Sequence, residues 1–430
     1  MYKSIIAIAF LSLHLVTSCQ KRSGEDDGNV KVFTGATVFD GTGSDPVANA
    51  VIIVREGRIV SVGTANQIQI PGNAEIIDLN GKWIIPGLIN AHGHVGNIKG
   101  LESGHYSAAN IKDQLARYAR YGITTVVSLG DDRAESQEFR AVNDSSASRN
   151  YARLYVAGEV VGGDTPEEVL SAVDRNVEMG VDFLKIRVDD NLGTSRKMSA
   201  DLYKTVIERA HANNLMLATH MYYLDDAKAL VEAGADFIAH SVRDRPVDTT
   251  FIRLMKENGI CYCPTLTREV STFVYEERPA FFDDPFFLRE ADTAVLRALV
   301  DPQRQEQVRR SSSAQAYKEA LKMAMANLKA LSDSGVRIAF GTDSGMPARF
   351  QGYFEHLEME LMADAGMRPE DILLSATRDA ASCLGLEGVG TLSGGHWADF
   401  VVLDADPFAD ILNTRSINSV WIGGEMVGNE

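Results

Sequence analysis

Nine histidines occur in this 430-residue chain. Two of them, His92 and His94, flank a single glycine in NAHGHV, where an apolar run ends. Two more close similar runs, His220 in LMLATHM and His240 in DFIAHS. Asp343 closes VRIAFGTDS, and Lys185 lies inside VDFLKIRV. Imidazole and carboxylate together suit zinc or a similar divalent ion. The lysine is the residue hardest to dismiss, because a buried ammonium is costly unless it is paired or chemically altered. A lone histidine at a strand end is ordinary. Four histidines, a lysine and an aspartate spread over five such runs are a pattern that chance does not supply.

Something must bring these six together. Apolar runs at 87–92, 122–130, 153–161, 181–188, 215–221, 236–241, 259–267 and 336–344 read as buried strands, and helical stretches separate most of them. That alternation predicts a (β/α)8 TIM barrel, with a doubly wound sheet as the alternative from pattern alone. Residues two apart on a barrel strand point the same way, so His92 and His94 would aim at one point on the axis. Such barrels build their active sites at the C-terminal strand ends. Thr165, followed by PEE, predicts a capping box, and Ser199 a plainer helix start. Residues 268–318 break the rhythm, and so long a connection reads either as a lid or as a surface ornament. Short β-type runs at both ends, punctuated by Gly, Asn and Asp, predict a small β-sandwich domain assembled from 30–85 and 391–430 around a barrel spanning 86–390.

The formal net charge of −17 argues against nucleic acid and anionic membrane surfaces as partners. The first residues read as an export signal: Lys3, then IIAIAFLSLHLV, too short an apolar run to span a membrane. VTSC then resembles a bacterial lipobox, which makes 1–18 a lipoprotein signal peptide, Cys19 the lipidated residue and 19–29 a flexible tether. The expectation is a membrane-anchored lipoprotein on the periplasmic face. The other cysteines are Cys261, Cys263 and Cys383. Their odd number suggests no disulfide framework, and Cys261 and Cys263 in CYC read as small core residues.

With those motifs in hand, the chain resembles the amidohydrolase superfamily, near its imidazolonepropionase-like and metal-dependent dipeptidase (prolidase-like) group. PGLINAHGH, GVDFLKI, ATH, IAHS and FGTDSG carry the resemblance, and GTLSGGHWADFVVLDADP is similar to that family's return to its β domain. The resemblance implies two divalent ions, Zn2+ foremost. His92, His94 and Asp343 would hold one, His220 and His240 the other, and a carboxylated Lys185 would bridge them. The metals would make a bridging water acidic enough to supply hydroxide, and Asp343 would carry its proton to the leaving group. The single-metal deaminases of the superfamily have a glutamate soon after the fifth-strand histidine, whereas His220 is followed by MYY. Hydrolysis of an amide bond in a small molecule, such as a dipeptide or N-acyl amino acid, is therefore the favoured activity. A lactonase or phosphotriesterase, or a lipid-anchored binding protein without activity, are the other readings. Tyr222 and Arg187 are candidate substrate contacts, Tyr222 because related dipeptidases place a tyrosine there, Arg187 because it shares the face of Lys185, with pairing to Asp189 or Asp164 as its other reading. Asp164 in VGGDTP stands where this group often has histidine, and its charge would oppose a substrate carboxylate. His356 in FEHLEMEL reads as a supporting residue. A homo-oligomer is compatible with all of this.

Overall fold

The computed structural model describes residues 30–145 and 149–428. The expected signal peptide, Cys19 and the expected tether lie outside the described residues. Among the described residues, no helix is long and apolar enough to cross a membrane.

The N-terminal strands are β1 (Val30–Val38), β2 (Val47–Arg55), β3 (Arg58–Thr64), β4 (Glu75–Asp78) and β5 (Trp83–Pro86). They join three C-terminal strands, numbered in chain order β13 (Phe400–Leu403), β14 (Ile417–Ile422) and β15 (Glu425–Met426), in one sheet ordered β15-β14-β13-β5-β1-β2-β3, with β4 beside β1. β13 pairs antiparallel with β5, so the two chain ends meet within the sheet. The sheet folds onto itself. In a flat sheet β14 would lie about 14 Å from β1, three strand spacings away. Yet the Phe33 ring on β1 meets Trp421 of β14 at 4.8 Å and Phe400 of β13 at 4.9 Å. The expected sandwich-like core is thus built from both termini.

Between these ends come β6 (Leu88–Gly93), β7 (Ile123–Ser128), β8 (Arg153–Val156), β9 (Phe183–Val188), β10 (Met216–Met221), β11 (Phe237–Ala239) and β12 (Cys261–Cys263). β6, β7 and β8 pair in parallel, as do β9 to β12. Isolated parallel bridges close the ring: Val161 with Ile186, Tyr262 with Ile338, and Gly93 with Ser344. The segment expected as the eighth strand, 336–344, makes bridges and not a ladder. It turns at Asp343, whose φ is +60°. Ile89, Ala91, Val127, Phe183, Ala218, Phe237, Ala239, Cys261, Cys263 and Ala339 share one buried cluster. Only the barrel interior can gather residues from all round the ring.

Local signals behave as physics requires. Thr165 caps the helix Pro166–Met179 with a full capping box, and Gly180 ends it in the left-handed region at φ +77°. Ser199 precedes the helix Ala200–Ala212 without a side-chain cap bond.

The cysteine reading needs correction. Cys261 on β12 is disulfide-bonded to Cys383 of the helix Arg378–Cys383, 122 residues away, while Cys263 is free and buried. Parity of the count says nothing about which pair tertiary packing brings within reach.

The long connection after β12 is helical. It opens with Leu266–Phe273, continues through Pro285–Leu288, Thr293–Leu299 and Pro302–Arg310, and runs into Ser312–Asp333. Its phenylalanines pack outward from the axis, Phe287 on Phe350 at 4.9 Å and Phe286 on Tyr121 at 4.9 Å. Only the first helix turns charged side chains, Arg268 and Glu269, into the buried mouth.

Candidate metal centre

His92 and His94 do not simply ride on strand alternation. Ile89 and Ala91 already face the interior, so regular pleating would turn His92 outward. The pairing register of β6 with β7 breaks between Asn90 and Gly93, and that break swings His92 inward. Gly93 permits it, because a Cβ there would meet Asn90 Nδ2 and Tyr118 Oη at 3.0 Å. His240 follows inward-facing Ala239 and is turned in by φ +82°. Lys185 and His220, two beyond Phe183 and Ala218, need no such device. Strained backbone at 240 and 343 marks positions that the surrounding structure holds for a purpose.

The ligand atoms of His92, His94 and Asp343 all lie within 4.8 Å of one another. Nδ1 of His94 donates to the Gly130 carbonyl at 3.2 Å, and its Nε2 lies 2.8 Å from Asp343 Oδ1. A lone pair and a carboxylate oxygen that close must share a positive charge, a proton or a metal ion. His92 Nε2 stands 3.5 Å from the same carboxylate and 3.4 Å from Lys185 Nζ. Burial raises the Asp343 carboxyl, but Arg349, which contacts Oδ2, and the His94 bond outweigh it and hold the group well below the usual carboxylate range.

The second group lies alongside. The His92 and His240 rings are 4.5 Å apart, and His240 and His220 are 4.2 Å apart. His220 Nε2 donates to Asp189 Oδ2 at 2.8 Å, which leaves Nδ1 with its lone pair. His240 Nδ1 meets Thr265 Oγ1 at 2.7 Å, which leaves Nε2. Burial lowers His220 to about 3 and pushes His92 and His240 well below the ordinary imidazole value. Neutral imidazoles with one nitrogen tied back are what a metal needs, since the tie sets tautomer and ring orientation. Burial also lowers Lys185 to about 8.

Two buried glutamates brace this floor. Glu355 accepts from Asn90 Nδ2 at 2.7 Å, Thr342 Oγ1 at 2.7 Å, Ser344 Oγ at 2.5 Å and the Gly352 N–H at 2.6 Å. It thereby ties β6 to the bridging segment that carries Asp343. Glu358 accepts from the Leu266 and Thr267 N–H groups, both at 2.7 Å, and so anchors the loop that presents Thr265 to His240.

The substrate candidates spread out. Tyr222 is buried, with the Arg243 guanidinium 4.7 Å from its ring centroid. Arg187 is exposed, bound to Asn191 Oδ1 and 3.5 Å from Asp189 Oδ2. Asp164 is exposed ahead of the helix Pro166–Met179, its N–H donating to Glu168. His356 is buried and contacts none of the candidate ligands, donating to the Tyr121 carbonyl at 2.8 Å and meeting Thr414 Oγ1 at 3.1 Å, in keeping with a supporting role.

The amidohydrolase family model matches residues 83–427. The chain belongs to the amidohydrolase family. Among relatives, this amidohydrolase is 25% identical over 409 residues to an imidazolonepropionase of Agrobacterium fabrum, covering 91% of this chain and 92% of that one. It is 23% identical over 401 residues to a 5-methylthioadenosine/S-adenosylhomocysteine deaminase of Bacillus cereus, covering 84% and 82%. An uncharacterized protein of Mycobacterium tuberculosis is 28% identical over 200 residues, a match that takes in 44% of this chain and about half, 51%, of that protein's length. Among solved structures, a Xaa-Pro dipeptidase with bound methionine superposes with a TM-score of 0.75 at 21% identity, covering 93% of this chain and 99% of that one. A putative prolidase from Bifidobacterium longum gives 0.74 at 24% identity, covering 93% and 94%. At such identities the structures establish a shared fold.

Several residues of the amidohydrolase site escaped sequence reasoning. Asp189, expected only as a partner of Arg187, and Thr265 and Arg349 hold candidate ligand residues, and Arg243, Arg268 and Glu269 are buried around them. One signal was available for Asp189, a carboxylate at the C-terminal end of the strand that carries Lys185. The arginines and Glu269 sit in loops where charge is common, so nothing in the string set them apart.

Proposed function

We propose that this amidohydrolase uses two divalent metal ions, zinc foremost, to hydrolyse an amide C–N bond in a small substrate such as a dipeptide or N-acyl amino acid. One observation carries the reading: four imidazoles, a buried lysine and a carboxylate converge at one barrel mouth. The ligand set fits the ions by its own chemistry. Nε2 of His92 faces both Asp343 and Lys185 while its Nδ1 has no hydrogen-bond partner among the described residues, and the lowered Lys185 amine is partly neutral near physiological pH. A neutral amine can add carbon dioxide, releasing one proton and forming a carbamate, which would replace a buried cation by an anion.

His92, His94 and Asp343 would hold one ion, His220 and His240 the other, with carboxylated Lys185 between them. When bound, the metals supply Lewis acidity, polarising a carbonyl and lowering the pKa of water. Asp343 takes the water's proton and delivers it to the leaving nitrogen. The dipeptidase and prolidase folds among the neighbours support the amide reading, and the MYY that follows His220, with no acid in it, argues against a deaminase.

Export with lipidation at Cys19 belongs to the same proposal. The Cys261–Cys383 disulfide supports it, because such bonds persist in oxidising compartments. Mass spectrometry of residue 19 in the membrane fraction tests it, and an unmodified cysteine there sinks it.

The function is tested by metal analysis of purified protein together with a panel of dipeptides, N-acyl amino acids, lactones and phosphotriesters. Two equivalents of metal with turnover of amides supports the proposal. Turnover confined to lactones or phosphotriesters, or tight binding without turnover, replaces it.

A further inference from the structure

The buried charges at the mouth do not balance. Arg243 and Arg268 share one carboxylate, Glu269, at 3.0 Å each. The other nearby acids are engaged: Asp189 with His220 and Arg187, Asp343 with His94 and Arg349, Asp244 with the Leu224 N–H and Arg245. Arg243 is 2% exposed and Arg268 7%. Nη2 of Arg243 is buried and has no hydrogen-bond partner among the described residues. Arg268 adds only a 3.4 Å contact to Tyr317 Oη. An uncompensated buried guanidinium is costly, and an anion placed between the two would relieve that cost.

Their setting suits a ligand. Arg243 lies over the Tyr222 ring and Arg268 over the Tyr317 ring, at 4.7 and 4.3 Å, and the two tyrosine rings are 6.2 Å apart. Tyr222, Arg243 and Arg268 follow the strand ends of His220, His240 and β12 in turn. An open cavity of about 450 Å³ reaches Tyr222 and Arg243 from solvent. Arg243 Nη1 donates to the Met221 carbonyl at 3.1 Å, next to His220, and Thr267 Oγ1, next to Arg268, donates to the Thr342 carbonyl at 3.1 Å, next to Asp343, so the pair borders both groups of candidate ligands.

We propose that Arg243 and Arg268, sharing Glu269, form the seat for a substrate carboxylate, and that they set the specificity of the site. The inference rests on the amide-hydrolase reading and deepens it. The substrate carries one negative charge at the end opposite the bond that is cut. The seat also displaces Arg187, which is exposed and engaged elsewhere, as the reader of that charge.

The test compares N-acetyl amino acids with the matching N-acetyl amino alcohols, which lack only the carboxylate. The metal-loaded wild type should favour the acids in kcat/KM by about 10- to 100-fold, the scale of hydrogen bonds to a charged group. Arg268→Met should collapse that ratio, mainly through KM, and Arg268→Lys should restore part of it. Equal use of acid and alcohol by the wild type, or an unchanged ratio in Arg268→Met, overturns the seat. If the wild type turns over neither series, the hydrolase reading fails by itself, and calorimetric binding of the same compounds decides the seat. Binding of acids but not alcohols upholds it, while equal binding of both, or binding of neither, overturns it.

Discussion

Asp189 holds His220 by its Nε2, carboxylate to imidazole, at 2.8 Å. Burial pushes the Asp189 carboxyl up, yet the His220 bond and the neighbouring Arg243 charge win and keep it ionised. The consequence is a fixed tautomer that offers Nδ1 to the cavity. Asp189→Ala should weaken the second metal site by about 10- to 100-fold while sparing the first. Metal titration should therefore fall from two equivalents towards one. Two tightly held equivalents in the variant would remove Asp189 from this role.

Lys185→Ala should reduce metal content and activity together, because the proposed bridging carbamate goes with the amine. Wild type incubated with carbon-13 bicarbonate should show a carbamate resonance that the variant lacks. Added acetate should restore part of the activity by standing in for the missing carboxylate. Full activity in untreated Lys185→Ala would contradict a bridging lysine.

Glu355→Ala should be severely destabilising. It removes the acceptor shared by the buried Asn90 amide, two hydroxyls and the Gly352 N–H, of which Asn90 Nδ2 keeps Thr342 Oγ1 at 2.9 Å and Ser344 Oγ keeps Tyr118 Oη at 2.6 Å. Buried donors left without an acceptor cost about 3 kcal/mol or more in sum. Denaturant unfolding of the metal-free variant measures this, and a loss below about 1 kcal/mol would show that the network relaxes around the gap.

Acid should destabilise the fold in part through His356, which is not one of the candidate ligands. Burial lowers His356 to about 3, against 6.5 for an ordinary imidazole. Between those values the unfolded chain binds a proton that the folded chain refuses, so stability rises with pH across the window and is fully present above 6.5. Below it the loss approaches about 1.4 kcal/mol per pH unit. His356→Gln should flatten the dependence of unfolding free energy on pH between 6.5 and 5, and a slope identical to wild type would exclude His356 as its source.

The Cys261–Cys383 bond should stabilise the folded chain by about 2 to 4 kcal/mol. The double variant Cys261→Ala/Cys383→Ala should melt lower than the oxidised wild type. Thiol labelling of unreduced, unfolded protein should modify Cys263 and leave Cys261 and Cys383 protected. Equal melting temperatures would assign the bond no stabilising role.

Much of the ring was legible in the string because strand runs buried on both faces are continuous apolar segments, and seven of the expected strands appear in place, most of them shorter. The eighth, 336–344, was apolar enough to pass as a strand but only bridges its neighbours. The terminal β domain was legible for a similar reason, since hairpin turns need residues that tolerate positive φ. The interior of the 268–318 insert was not legible, because its short helices are set by contacts such as Phe287 on Phe350, from distant parts of the chain.

Residue type by itself determined which groups could bind metal, and apolar periodicity determined that they would end parallel strands. Those properties are local, and a string records them. Tertiary structure decided how they aim: the register break that turns His92 inward, the positive φ at His240 and Asp343, the Cys261–Cys383 bond, and the shared Glu269 between two arginines. Each depends on contacts between residues far apart in sequence, and their energies exist only once the ring has closed.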